Sequence, residues 1–245
     1  MVARQIGVDE AGRGPVIGPL VVCALEIPEE DRGILLEIGA DDSKKLSKFI
    51  RERIFREIFS YSKSRKWGLG VIICPPSRID REMSRIGLNS LEVGLFAEAI
   101  EYAGDATQNP EILLDACDVN AERFGKSVSE ELGPKWSHCN IRSEHRMDSS
   151  DVLVGAASVV AKHVRDSEIA KISEELGIDV GSGYPSDPKT QHAVIELCRE
   201  GKPHDCLRWS WATVVGAWNS LRSSPLPERF VGPGGSSQSA LDDWN

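Results

Sequence analysis

Residues 7–19 read GVDEAGRGPVIGP, and the order of chemistry in that stretch limits what the rest of the chain can build. An apolar run ends in two adjacent carboxylates, Asp9 and Glu10, and a turn built on Gly12, Arg13 and Gly14 follows at once. Residues 6–8 and 20–27 are apolar, the second run rich in β-branched side chains, so the spacing predicts two strands joined by that turn. Successive side chains of a strand point to opposite faces, which separates Asp9 from Glu10 unless the turn re-aims one of them. Glycine permits positive φ and lets a ligand approach the backbone closely. The expectation is a metal-dependent site with a substrate-reading loop beside it.

The remaining elements follow from periodicity and punctuation. Ser47 is placed to cap a helix in which Ile50, Ile54 and Ile58 recur at four-residue spacing. Residues 67–74 and 111–117 predict buried strands, the second carrying Asp115 near its end, and 136–142 predicts a weaker one. A carboxylate at the end of an apolar strand is costly to bury unless it is paired or bound to metal, although Asp115 can equally be a turn or capping residue. An amphipathic helix is expected over 89–102, and a long one from about 151 to 176, where Ala156, Ala157 and Ala161 permit close packing on a sheet. Asp148, just before it, reads in isolation as an N-cap. A dense turn cluster at 181–188 leads into a further helix, and a last helix over 208–221 is expected to carry Trp209, Trp211 and Trp218. The fold class is therefore α/β, a mixed β-sheet flanked by helices with helices collected at the C-terminal end. Residues 223–237 are rich in Ser, Pro and Gly and read as a flexible linker.

Composition narrows the function classes. A length of 245 residues suffices for one sizeable domain, and 40% hydrophobic with 27% charged residues is ordinary for a soluble protein. No run approaches the roughly 18 apolar residues of a spanning helix, and the opening MVARQIGVDE lacks the apolar core of a signal peptide. The expectation is a cytoplasmic protein with no membrane role. Six scattered cysteines with no CxxC pair signal neither a zinc site nor a disulfide framework. The net charge of −9 argues mildly against a nucleic-acid partner, but residues 44–66 hold nine Lys and Arg against only Glu52 and Glu57.

Asp9, Glu10, Asp115 and Asp148 each carry a weak signal alone, yet they stand at the ends of separate elements beside a glycine loop and a basic helix. Hard divalent cations take oxygen ligands, so no histidine or cysteine is needed to hold them. Two such ions about 3.5–4 Å apart can activate a water and stabilise a leaving oxygen at phosphorus.

The chain resembles the archaeal type 2 ribonucleases H, the ribonuclease HII family. The motifs are GVDEAGRGPVIGPLVV at 7–22, DSKKLS at 42–47, LLDACDVN at 113–120, SEHRMD at 143–148, AASVVAKHVRD at 156–166 and GSGYPSDPKT at 181–190. That resemblance implies a ribonuclease H-like fold, with a catalytic domain over 1–178 and a helical substrate-binding extension over 179–222. It implies hydrolysis of RNA paired with DNA and cutting on the 5′ side of ribonucleotides embedded in duplex DNA, with two Mg2+ or Mn2+ ions. Asp9, Glu10, Asp115 and Asp148 fall on the family's metal-binding acids, Gly12, Arg13 and Gly14 on its ribose-reading loop, and Tyr184 on its junction tyrosine. Lys44, Lys45, Lys162 and Arg165 are candidate phosphate contacts, with an Arg165–Asp166 ion pair as the structural alternative for Arg165. Met147 and the run Ser149, Ser150, Asp151 depart from the family pattern, which makes Asp151 a rival for the fourth ligand. Asp118 is a weaker rival to Asp115.

The last part of the chain, 223–245, reads as linker and tail. Gln238, Leu241 and Trp244 resemble the short motif that docks on the DNA sliding clamp, although Asn245 stands where a second aromatic is expected. Leu241 and Trp244 lie three apart and would share one face of a helical turn. The expected molecule is thus a monomeric nuclease with a clamp-binding tail. The alternatives are a related two-metal DNA nuclease and a clamp-associated hybrid-binding protein without catalysis.

Overall fold

The computed structural model describes residues 3–40 and 46–229. Strands β1 (Arg4–Ala11) and β2 (Leu20–Pro28) pair antiparallel from Arg4↔Pro28 to Ala11↔Val21, so the glycine turn joins them as a hairpin. Helices α1 (Arg32–Glu37) and α2 (Lys48–Ser64) precede β3 (Gly68–Cys74), and α3 (Pro76–Arg85) and α4 (Leu88–Ala103) precede β4 (Glu111–Asp115). The order then runs α5 (Ala121–Leu132), β5 (Ile141–Glu144), α6 (Val152–Leu176), α7 (Pro188–Leu197) and α8 (Ala212–Leu221). The sheet order is β3-β2-β1-β4-β5, with β4 parallel to both of its neighbours and the other pairs antiparallel.

Alternation along β1 divides the core. Ile6 and Val8 face one layer, where Phe96 of α4 meets Phe124 of α5 edge-on at 5.1 Å and Trp136 is fully buried. The opposite face meets α6, α2 and α1 through Val21, Cys23, Leu25, Ala157 and Val160. Gly7 belongs to that second face, and a Cβ there would stand 2.7 Å from the Leu153 backbone, so α6 can lie directly on the strand only because the residue is glycine. A third cluster joins Val16 and Ile17 of the hairpin turn to Ile169, Val194, Leu207, Trp209, Val214 and Trp218. The turn between the first two strands is therefore cored by the end of the chain.

The cap expected for α2 is borne out. Ser47 caps α2 by accepting from Ile50 N–H, and Ile54, Phe55 and Ile58 are the side chains that α2 buries, but Ile50 of the expected stripe lies exposed in the first turn, beyond the reach of the sheet. All six cysteines are free, and no described helix is long and apolar enough to cross a membrane.

Other expectations need correction. Residues 134–136 form a single 3₁₀ turn after Gly133, and the weak strand starts only at Ile141, because Trp136 turns into the core instead of alternating along an edge. The last helix begins at Ala212, so of the three tryptophans only Trp218 lies on it. Trp209 is held ahead of it, its N–H donating to Asp80 Oδ2 at 2.9 Å. The Pro75-Pro76 pair ends β3 as expected, but Pro76 also opens α3 at a first-turn position where its missing N–H costs nothing.

Candidate active site

The parallel register sets Val8 of β1 beside Leu114 of β4, and the next residue on each strand is a carboxylate, Asp9 and Asp115. Asp115 is in turn opposite Glu144, where β5 ends. The chain then reverses through Arg146 in the left-handed region, φ 61°, and a 3₁₀ turn over Met147–Ser149 carries Asp148 back toward the sheet. Met147 N–H donates to Asp115 Oδ1 at 3.1 Å, tying that return to the neighbouring acid. Asp9, Asp115 and Asp148 consequently offer carboxylate oxygens that all lie within 4.8 Å of one another.

Burial pushes the Asp9 carboxyl well above its ordinary range, and the negative charges of Asp115 and Glu10 push it further. Ser158 of α6 works the other way by hydrogen bonding to the charged form, and Lys162 Nζ lies 2.9 Å from Ser158 Oγ. Glu10 N–H also donates to Asp9 Oδ1 at 2.7 Å. Buried carboxylates that repel one another are stabilised by a countercharge, and an all-oxygen donor set suits a hard divalent cation. The three residues fit such an ion.

Glu10 lines the same cavity of about 510 Å³, but it stands outside the three-acid group. Alternation points it to the α4 side of the sheet. Burial raises its pKa, opposed by the Arg13 guanidinium and by a hydrogen bond from the Arg13 N–H.

The rival carboxylates have structural work. Asp151, not Asp148, caps α6, with Oδ1 accepting from Leu153 N–H at 2.9 Å and Val154 N–H at 3.3 Å, and Oδ2 pairing with Arg32 at 2.6 Å. Asp118 pairs with Arg123 at 2.5 Å, while Asn120 caps α5.

Beside the acids, Gly12 has φ 95°, and a Cβ there would lie 2.7 Å from the Pro19 carbonyl oxygen. Only glycine makes that turn without strain. Gly14 faces Tyr184, since a Cβ on it would be 3.6 Å from the phenol ring. The Arg13 side chain turns back into the protein, where it donates to the Cys117 carbonyl and to Asn89 Oδ1 at 2.8 Å, and pairs with Glu92 at 2.9 Å. Arg165 is similarly inward. Its guanidinium lies 5.1 Å from the Tyr184 ring centroid, donates to the Ser182 carbonyl and pairs with Asp166 at 3.3 Å. Asp166 also pairs with Arg51 of α2 at 2.7 Å. The ion pair weighed as the structural alternative for Arg165 is present, and the guanidinium packs under the tyrosine while still lining the cavity.

Lys162 lines the cavity. Lys44 and Lys45 fall outside the described residues, as do Gln238, Leu241 and Trp244. Sequence reasoning missed Ser158, Arg51 and Glu92. Ser158 stands inside the AASVV motif that marks α6, but nothing local tells its hydroxyl from a small packing residue. Glu92 occupies a helix where an acid ordinarily faces water, yet it is fully buried and its carboxyl is pushed up to about 8 by that burial, against the pull of Arg13.

A sequence model of the family described as Ribonuclease HII matches residues 6–214. The Ribonuclease HII of Methanocella arvoryzae is 45% identical over 211 residues, covering 85% of this chain and 88% of that one. That of Pyrococcus furiosus is 39% identical over 218 residues, covering 89% and 92%. Among solved structures, ribonuclease H2 from Pyrococcus horikoshii superposes with a TM-score of 0.77 at 34% identity, over 90% of this chain and 100% of that one. The ribonuclease in the PCNA:RNase HII complex from Archaeoglobus fulgidus gives 0.72 at 34% identity, over 98% and 99%. The fold extends to Bst-RNase HIII, solved with Mn2+, at a TM-score of 0.71 and 20% identity, over 91% of this chain and 71% of that one.

Proposed function

This chain belongs to the ribonuclease HII family, metal-dependent endoribonucleases of RNA/DNA hybrids, and from that premise we propose a specific reaction and a role for each residue of the site. The enzyme hydrolyses the RNA strand of hybrids and cuts on the 5′ side of ribonucleotides embedded in duplex DNA, leaving 3′-OH and 5′-phosphate ends. It serves ribonucleotide removal during replication and repair in the cytoplasm, as a monomer. The observation that carries this reading is the convergence of three carboxylates from adjoining strand ends beside a glycine turn.

Asp9, Asp115 and Asp148 hold the divalent cations, Mg2+ or Mn2+, with Glu10 completing the set from the other face of β1. When bound, the ions supply an activated water and stabilise the departing oxygen of an in-line displacement. The Ser158 hydroxyl holds the Asp9 carboxylate in place, with Lys162 behind it. Gly12, Arg13 and Gly14 present backbone to the 2′-OH, the one group that distinguishes ribose from deoxyribose. The Tyr184 ring, backed by Arg165, packs against the next deoxyribose, where an added hydroxyl would clash. Lys44, Lys45 and Lys162 contact phosphates, and residues 179–222 form the substrate-binding extension to the catalytic domain over 1–178.

The deciding assay is a duplex with one embedded ribonucleotide in Mg2+. A single cut on its 5′ side is expected, and an uncut duplex would leave only hybrid binding. Equal cutting of an all-deoxy duplex would indicate a general two-metal nuclease. For the tail, the relative seen in a PCNA:RNase HII complex supports clamp docking through Gln238, Leu241 and Trp244 at the end of the 223–245 segment. Removing residues 238–245 is expected to lower affinity for the sliding clamp at least tenfold and to leave cleavage of the short duplex within twofold. Clamp binding that survives the truncation rejects the motif.

A further inference from the structure

Arg208 is fully buried, yet among the described residues its guanidinium bonds to no carboxylate. Its Nε donates to the Gly18 carbonyl at 3.1 Å, its Nη1 to the Arg13 carbonyl at 2.8 Å and its Nη2 to the Gly12 carbonyl at 2.5 Å. Its own backbone N–H adds a bond to the Val16 carbonyl at 2.9 Å. Trp211 lies over the guanidinium, 5.0 Å from ring centroid to carbon, and its Nε1–H reaches the Gly14 carbonyl at 3.3 Å. The segment that supplies both residues is itself fixed from α3, where Asp80 accepts from the N–H groups of Trp209 and Ser210.

A buried cation is ordinarily paired with an acid, because leaving the charge to neutral acceptors forgoes most of the Coulombic return. Here three fork-shaped donors are spent on the backbone of one turn, a geometry that only guanidinium offers. Each peptide unit is planar and trans, so its N–H points away from its C=O. Holding the Gly12 carbonyl inward turns the Arg13 N–H the other way, toward the Glu10 carboxylate in the cavity, whose charged form that N–H favours. Holding the Arg13 carbonyl inward turns the Gly14 N–H toward the same cavity, whose wall includes Gly12, Arg13 and Gly14.

We propose that Arg208, with Trp211, is the positioning element for ribose recognition: it anchors the carbonyls of residues 12–18 so that the opposite, amide-bearing face of the turn is presented to the sugar. This rests on the reading of that turn as the 2′-OH contact. It assigns to the end of the chain a part in selecting substrate without touching it.

The test compares the affinity of the full chain for two duplexes that differ by one 2′-OH, measured by fluorescence anisotropy in an Asp9→Asn background so that neither is cut. Adding Arg208→Lys keeps a positive charge but not the fork. It is expected to lower the ribonucleotide-over-deoxyribonucleotide preference at least fivefold, with affinity for the all-deoxy duplex within twofold. A merely structural part would weaken both duplexes alike and leave the ratio unmoved, which would overturn the proposal. Trp211→Phe, which keeps the ring over Arg208 and removes only the donor to Gly14, is expected to lower the ratio about twofold. It decides the matter if Arg208→Lys does not fold, and an unchanged ratio there also overturns the proposal. If the Asp9→Asn protein itself shows no preference, the 2′-OH reading of the turn fails first and the anchor loses its purpose with it.

Discussion

The acid cluster and the glycine turn share one cavity, but they are held in different ways. Asp9 and Asp115 take their places from strand register, one step beyond a paired Val8 and Leu114, and Asp148 is a few residues past the end of the adjoining strand. The turn hangs between two strands and is gripped from outside the sheet: through its carbonyls by Arg208 and Trp211, and through the Arg13 side chain by Glu92, Asn89 and Cys117. Under the proposed roles, chemistry is built into the sheet, while discrimination is imposed on it from neighbouring helices and from the end of the chain. The two ought to be separable by mutation.

The largest effect is expected from Asp9→Asn, which breaks the chemical half alone. Cleavage in Mg2+ should fall by about 10³-fold or more if the proposed ligand role of Asp9 holds, since its carboxylate would be lost from the site that stabilises the reacting oxygens. The metal-free melting temperature should stay level or rise by a few degrees at neutral pH. The sign follows from the raised pKa of Asp9. A carboxyl that binds its proton more tightly when folded stabilises below its ordinary pKa, and that stabilisation is lost as the pH climbs through the higher folded value. A carboxamide does not carry that loss, so a strongly lowered melting temperature would contradict this account of the cluster.

Tyr184→Ala attacks the reading half. Tyr184 is 40% exposed and its ring covers Arg165, so stability should fall only modestly, by about 0.5–1 kcal/mol. The rate constant kcat/KM for a single embedded ribonucleotide should fall about tenfold, against a smaller loss on a continuous hybrid, where the next sugar is itself a ribose. Equal losses on both substrates would erase the proposed division between chemistry and discrimination.

The smallest effect belongs to Glu92→Gln and shows in a pH profile. The groups that bear on the Glu92 carboxyl are Arg13, Glu10, Arg208 and Asp118, and burial outweighs them to hold it at about 8, above the ordinary 4.5. The wild-type protein gains stability from that proton in full below about 4.5 and loses it as the pH rises through about 8. Glutamine cannot ionise. Wild-type melting temperature should therefore decline relative to the variant between pH 5 and 8, and parallel curves would show that Glu92 does not titrate across that range.

Sequence patterns revealed the acid cluster better than its surroundings, for physical reasons. Asp9 and Asp115 follow apolar strand runs that announce themselves by alternation, so their positions at adjoining strand ends were readable once the sheet was expected. The separation of Asp148 from Asp151 was not readable from local pattern, because an aspartate four residues before a helix and one immediately before it look alike in a string. Only the capping bonds of Asp151 and the return bond from Met147 to Asp115 distinguish them. Glu10 was expected across the sheet from Asp9 by alternation, and it is. Arg208 and Glu92 were invisible for another reason. A long-range partner leaves no local period, and each bond that matters to Arg208 spans at least 190 residues.

That span has a consequence for the order in which the enzyme comes into being. During synthesis the last of the three acids is added at residue 148, and α6, which covers the sheet, is complete in sequence at residue 176. A nascent chain of that length already owns its acids, but the hairpin turn has neither Arg208 nor Trp211 to shape it. Domains assemble from the N-terminus as they emerge. On the proposed reading of the turn, discrimination between ribose and deoxyribose accordingly follows the acids, arriving only when the segment around Arg208 folds back onto the hairpin.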